Sequence, residues 1–125
     1  MAATFSVTAD PARDLIRIAL TGMFDEGSIA GFLEARRAAH AQLRCGSCQQ
    51  VTLVDARAFA IQTRETVERW TAVLADPAHQ SRRLAFVTDS TLMRLQLQRA
   101  SGPRVARVFT DPVEAERWLL APEFA

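Results

Sequence analysis

The stretch from Gln50 to Val67, QVTLVDARAFAIQTRETV, constrains the fold more than any other part of the chain. Val51, Leu53 and Val54 make an apolar run of strand-forming residues that ends at Asp55. A loop carrying Arg57, Phe59 and Ile61 follows, and Thr63 opens a helix that runs to Ala75. A strand passing through a short loop into a helix is half of a parallel crossover unit. It sets an acid at the carboxyl end of the strand with a helix N-terminus beside it, the edge of open α/β sheets where ligands and modifications sit.

The flanking sequence repeats this unit after an initial hairpin. Phe5 to Thr8 alternates apolar and polar residues, Asp10 to Asp14 carries turn chemistry, and Leu15 to Leu20 alternates again. The two strands pair as an antiparallel hairpin with part of one face wet. Thr21-Gly22 ends the second strand, and Met23 to Gly27 reads as a loop. Ser28 is the expected N-cap of a helix from Ile29 to about Arg44, with Ile29, Phe32, Leu33 and Leu43 as its apolar stripe. Arg36 and His40 project near that stripe; the buried face is expected to shift toward Ala35 and Ala39, with Arg36 snorkelling at its edge.

After the core strand, Val67, Trp70, Thr71 and Leu74 are expected to face inward from the second helix, which Asp76-Pro77 stops. Leu84 to Val87 reads as a central parallel strand covered on both faces. Asp89 or Ser90 caps a third helix carrying Leu92, Met93, Leu95 and Leu97, and Ser101-Gly102-Pro103 closes it. Val105 to Phe109 is the last strand, near an edge because of Arg104 and Arg107. Asp111-Pro112-Val113-Glu114 starts a final helix that docks through Ala115, Trp118 and Leu119. The order is β-β-α-β-α-β-α-β-α: an α/β fold with a mostly parallel five-stranded sheet, four helices and right-handed crossovers, in a single domain over residues 1–125.

Bulk properties exclude several functions. Formal net charge is +1, so nothing draws nucleic acid or membrane to the surface as a whole. All 15 basic residues are arginine, scattered from Arg13 to Arg117, so no lysine exists for a Schiff base or a P-loop. The opening residues lack the basic start and apolar segment of a secretory signal, and no apolar run approaches the roughly 18 residues of a membrane span. A cytoplasmic protein with reduced thiols is expected.

The Cys45-Gly46-Ser47-Cys48 pair follows a helix C-terminus, where the dipole opposes thiolate formation, and only His40 and His79 are at hand as further ligands. Neither a bound metal nor an activated thiol is expected there. No Gly-x-Ser-x-Gly elbow and no glycine-rich phosphate loop occurs in the chain. Without a nucleophile, base and oxyanion donor that can be assembled, an enzyme is the least expected class, and no cofactor is implied.

What remains is the carboxyl edge of the sheet. Asp89, with Ser90, and Asp111 read as N-caps whose charge already occupies the positive ends of their helices. The second helix begins Gln62-Thr63-Arg64 without an acid at its cap, although Glu65 lies in its first turn. Asp55, Arg57, Gln62, Thr63, Arg64, Asp89 and Ser90 therefore make up the candidate ligand or phosphorylation region, against the plainer reading of Thr63 as a cap and of Phe59 and Ile61 as core.

The element order, together with VTLVDARAFAIQT, LAFVTDS and VARVFTDPVEAERWL, resembles the SpoIIAA-like proteins from about Phe5 to Leu120. These belong with STAS (sulfate-transporter and anti-sigma-factor-antagonist) domains and share a fold with CRAL-TRIO lipid-transfer domains. The resemblance implies a small stand-alone bacterial domain that acts by binding a protein partner or small ligand, with a homodimer also open. In anti-sigma-factor antagonists an Asp-Ser pair at the start of the second helix is phosphorylated. With a one-residue gap after Ile61, Gln62-Thr63 occupies that place, but the aspartate, the serine and the following glycine are all replaced, which argues against a phospho-switch at Thr63. The CRAL-TRIO relation implies instead a carrier of an apolar or lipid-like molecule, whose mark would be a closed apolar cavity rather than a surface patch.

Overall fold

Alternation in the first two strands and continuous apolar runs in the next two build a sheet that is wet at one edge and covered in its middle. The computed structural model describes residues 2–46, 48–102 and 105–122. Among these, β1 (Thr4–Asp10), β2 (Leu15–Gly22), β3 (Val51–Phe59), β4 (Arg83–Val87) and β5 (Ala106–Phe109) form one sheet in the order β1-β2-β3-β4-β5. The β1–β2 pair is antiparallel and the other three pairs are parallel. The helices are α1 (Glu26–His40), α2 (Arg64–Leu74), α3 (Thr91–Ser101) and α4 (Pro112–Leu120).

Because β2 to β5 follow one another in sequence and in space, right-handed crossovers put α1, α2 and α3 on one face of the sheet. The larger core lies there and includes Ile16, Ile18, Val54, Phe86, Phe32, Trp70, Val73, Met93 and Leu97. On the opposite face α4 packs over Leu15, Val51, Leu53, Ala85 and Val87 through Ala115 and Leu119, both 0% exposed. Arg83 secures the end of α4 by donating to the carbonyls of Trp118 (2.6 Å) and Ala121 (3.1 Å).

Several expectations are corrected. The first helix begins at Glu26, not Ile29: Asp25 is the N-cap, and Ser28 at the third helical position completes a reciprocal capping box. Phe24, expected in a loop, is 2% exposed and sits among the rings of Phe5, Phe59 and Trp70. It precedes the cap while Ile29, also buried, sits one turn into the helix, the positions of a hydrophobic staple. The helix stops at His40, so Leu43 packs against the core from beyond its end.

Arg36 does not snorkel. It is 7% exposed, and its guanidinium donates to the Val73 carbonyl and the Asp76 carboxylate, both at 3.2 Å. Strand β3 continues past Asp55 to Phe59 because β2 still offers it a partner, pairing Thr21 with Ala58 and Gly22 with Phe59 across a register shift. Inward positions also move: Thr66 and Val73 are buried on α2 where Thr71 was expected, and Leu92 and Leu95 of α3 are exposed. Trp118 is only half-buried, against Phe109 and beneath Arg83 and Arg107. Ser47, Pro103 and Arg104 lie outside the described residues.

Candidate functional site

Pleating separates Asp55 from Thr63. Asp55 pairs with Ala19 and Val87 in the ladder and shares the α4 side with Val51 and Leu53. Thr63 instead caps α2, which lies over the opposite face. The acid expected beside the second helix therefore belongs to another surface, since β3 runs on beyond it. Arg57 chelates the Asp55 carboxylate through Nε at 3.0 Å and Nη2 at 2.8 Å. That guanidinium, with the Arg57 backbone N–H, holds the Asp55 carboxyl below its usual range against the effect of burial.

Gln62 is 5% exposed and is a strut inside the protein. Its side chain accepts from Phe24 N at 2.9 Å and donates to the carbonyls of Gly22 (3.1 Å) and Ala60 (2.5 Å). Thr63 is exposed; its hydroxyl accepts from Thr66 N at 3.2 Å and donates to the Thr66 hydroxyl at 2.9 Å. Arg64 extends into solvent, 3.9 Å from Glu68. Ser90, not Asp89, caps α3 by accepting from Met93 N at 3.1 Å, and Asp89 is exposed. Asp111 caps α4 as expected, accepting from Val113 N at 2.9 Å.

Burial and the nearby Asp14 carboxylate raise the Cys45 pKa, away from thiolate formation. Cys48 points its sulfur toward the Pro77 carbonyl, 3.6 Å away. Among the described residues no cluster of three or more His, Cys, Asp or Glu side chains converges to hold a metal, and no helix is long and apolar enough to cross a membrane.

A different feature dominates the interior. A cavity of about 70 Å³ lies between the sheet and α1, α2 and α3, walled by Ile18, Val54, Phe86, Phe32, Trp70 and Leu97. Trp70 is 8% exposed, and its indole N–H is buried with no hydrogen-bond partner among the described residues. Arg36, His40, Thr52, His79 and Ser81 also line the cavity. The hydroxyls of Thr52 and Ser81 stand 2.5 Å apart, the Asp76 carboxylate holds His79 Nδ1 at 2.9 Å, and the rings of His40 and His79 meet edge to face at 4.8 Å. Burial, with His79 and the Arg36 guanidinium alongside, pushes the His40 imidazole down to about 4, leaving it neutral at ordinary pH.

Sequence reasoning placed Phe32, Trp70 and Leu97 in the core but did not find this space. Voids depend on how side chains fill the gap between layers, which periodicity does not record. Arg36 and His40 near the apolar stripe of α1 were its one visible sign.

Among solved structures, the fold is similar to that of an uncharacterized protein from the DUF3478 family with a SpoIIAA-like fold, from Shewanella loihica PV-4. The TM-score is 0.74 at 14% identity, over 95% of this chain and 96% of that one. No protein-family model matches the sequence, and no curated protein matches it. The fold is SpoIIAA-like, as the sequence resemblance implied.

Proposed function

We propose that the protein is a non-catalytic binding domain whose ligand, a small and mostly apolar molecule, enters the cavity between the sheet and the three crossover helices. The cavity carries this reading. Close-packed interiors keep few voids larger than a water molecule. Apolar walls with a few placed polar groups are the usual make-up of a small-molecule site. The buried Trp70 indole N–H, without an acceptor among the described residues, carries a cost that a ligand acceptor would relieve.

Side-chain pairing around the cavity supports a binding role. The Thr52 and Ser81 hydroxyls bond to each other, and the carboxylate that holds His79 also holds Arg36. Binding of this kind suits a carrier or a ligand-dependent regulator, and a SpoIIAA-like fold accommodates either.

A native mass spectrum of the purified protein tests the proposal. The expected result is an increment above the 13.8 kDa chain that disappears under denaturing conditions. The bare chain alone, even after incubation with an apolar extract of the host cells, would overturn it. An increment that survives denaturation and maps to Thr63 would favour phospho-regulation instead.

A further inference from the structure

Resting on the reading of this cavity as a ligand site, we propose that the ligand is an uncharged molecule with a hydrogen-bonding oxygen, an alcohol, ketone or ester, whose polar group lies against Thr52, Ser81 and His40. Two sets of polar side chains line the space. One is Gln62 with Gln96, and these groups are committed: the Gln62 amide serves three backbone groups, and the Gln96 amide is bound to the Gln62 backbone. The other set comprises Thr52, Ser81, His40, His79 and Arg36.

The Arg36 guanidinium and the Asp76 carboxylate already pair with each other. Arg36 donates to Asp76 and to the Val73 carbonyl, and Asp76 also takes His79. A ligand carboxylate would have to displace Asp76 or lie buried without a partner, and uncompensated buried charge is strongly disfavoured. A ligand ammonium would meet the fixed positive charge of Arg36.

Neutral hydrogen-bonding groups are available. Thr52 is 6% exposed, and its hydroxyl bonds to that of Ser81, its one partner among the described residues, where a hydroxyl can serve three. His40, kept neutral by its surroundings, offers a donor at one nitrogen and an acceptor at the other. The unpartnered Trp70 N–H, on the apolar wall, favours a ligand that carries an acceptor. Apolar surface with a few placed polar groups is the usual make-up of a small-molecule site.

Nuclear magnetic resonance separates the outcomes, because Trp70 lines the cavity and Trp118 packs on the other side of the sheet. The full chain is titrated at neutral pH with 1-hexanol and, separately, with hexanoate. The proposal expects 1-hexanol to shift the Trp70 indole N–H signal saturably and to leave that of Trp118 in place. Hexanoate should bind at least about tenfold more weakly, and Thr52→Val should weaken 1-hexanol by about fivefold, the effect of one neutral hydrogen bond. Hexanoate binding as tightly as 1-hexanol, or an unchanged affinity in Thr52→Val, would overturn the uncharged head group while keeping the cavity as a ligand site. If neither compound moves the Trp70 signal, the cavity reading falls and this proposal falls with it.

Discussion

Gln62 and Gln96 clasp each other across two elements: Gln62 N donates to Gln96 Oε1 and Gln96 Nε2 donates to Gln62 O, each at 3.0 Å. The loop that enters α2 is thereby tied to the middle of α3, over the same space that the cavity occupies. Gln96→Ala would strip both backbone groups of Gln62 of their partner. The expected loss is about 1–3 kcal/mol, read as a lower urea midpoint with an unchanged slope. An unchanged midpoint would mean that water replaces the clasp at no cost.

Thr63 makes a narrower test. As the cap of α2, it should lose about 0.5–2 kcal/mol on Thr63→Ala and almost nothing on Thr63→Asp, since aspartate caps equally well. Denaturation of both variants checks this. Loss of a specific partner by Thr63→Asp, with melting unchanged, would show that this exposed threonine is a recognition surface as well as a cap.

The two tryptophans should differ in their contribution to stability. Trp70 packs edge-on against Phe24, Phe32 and Phe59 within the larger core, so Trp70→Ala should cost about 3–5 kcal/mol. Trp118 is half-buried with its outer face under two arginines, so Trp118→Ala should cost less, about 1.5–3 kcal/mol. Thermal unfolding of the pair reads the order; equal losses would contradict it.

Legibility from sequence followed the kind of physics involved. Element order and the hairpin could be read because alternation, apolar runs and the Asp111-Pro112 start are local signals. Phe24 and Asp25 were missed because Ser28 fits a cap as well as Asp25 does, and only the reciprocal box decides between them. The carboxyl end of β3 was placed too early because Ala56 to Phe59 are strand only by virtue of the β2 partner beside them. Gln62 gave no sign that it was a strut, since two of its three backbone partners, Gly22 and Phe24, lie about 40 residues away in sequence.

His40 gives stability a pH dependence with a fixed sign. Its folded pKa of about 4 lies below the ordinary 6.5, so between those values the unfolded chain takes up the proton first. The associated stability is complete above about pH 6.5, declines as pH falls, and is fully lost near pH 4. Allowing for solvent at the half-buried ring, the change is on the order of 1–2 kcal/mol. His40→Gln should flatten the profile in that window. A wild-type profile already flat there would contradict the half-buried neutral imidazole.

Ala100 lines the cavity and is 7% exposed, which makes Ala100→Leu a direct way to fill it from α3. The most direct measurement of the ligand reading is the melting temperature of the parent and of this variant over a 1-hexanol series at millimolar concentration. A ligand that binds only the folded state raises the melting temperature in step with its concentration. The parent's melting temperature should rise with 1-hexanol, while Ala100→Leu should start higher and not rise. Parallel curves for the two proteins, whether rising or falling, would contradict it.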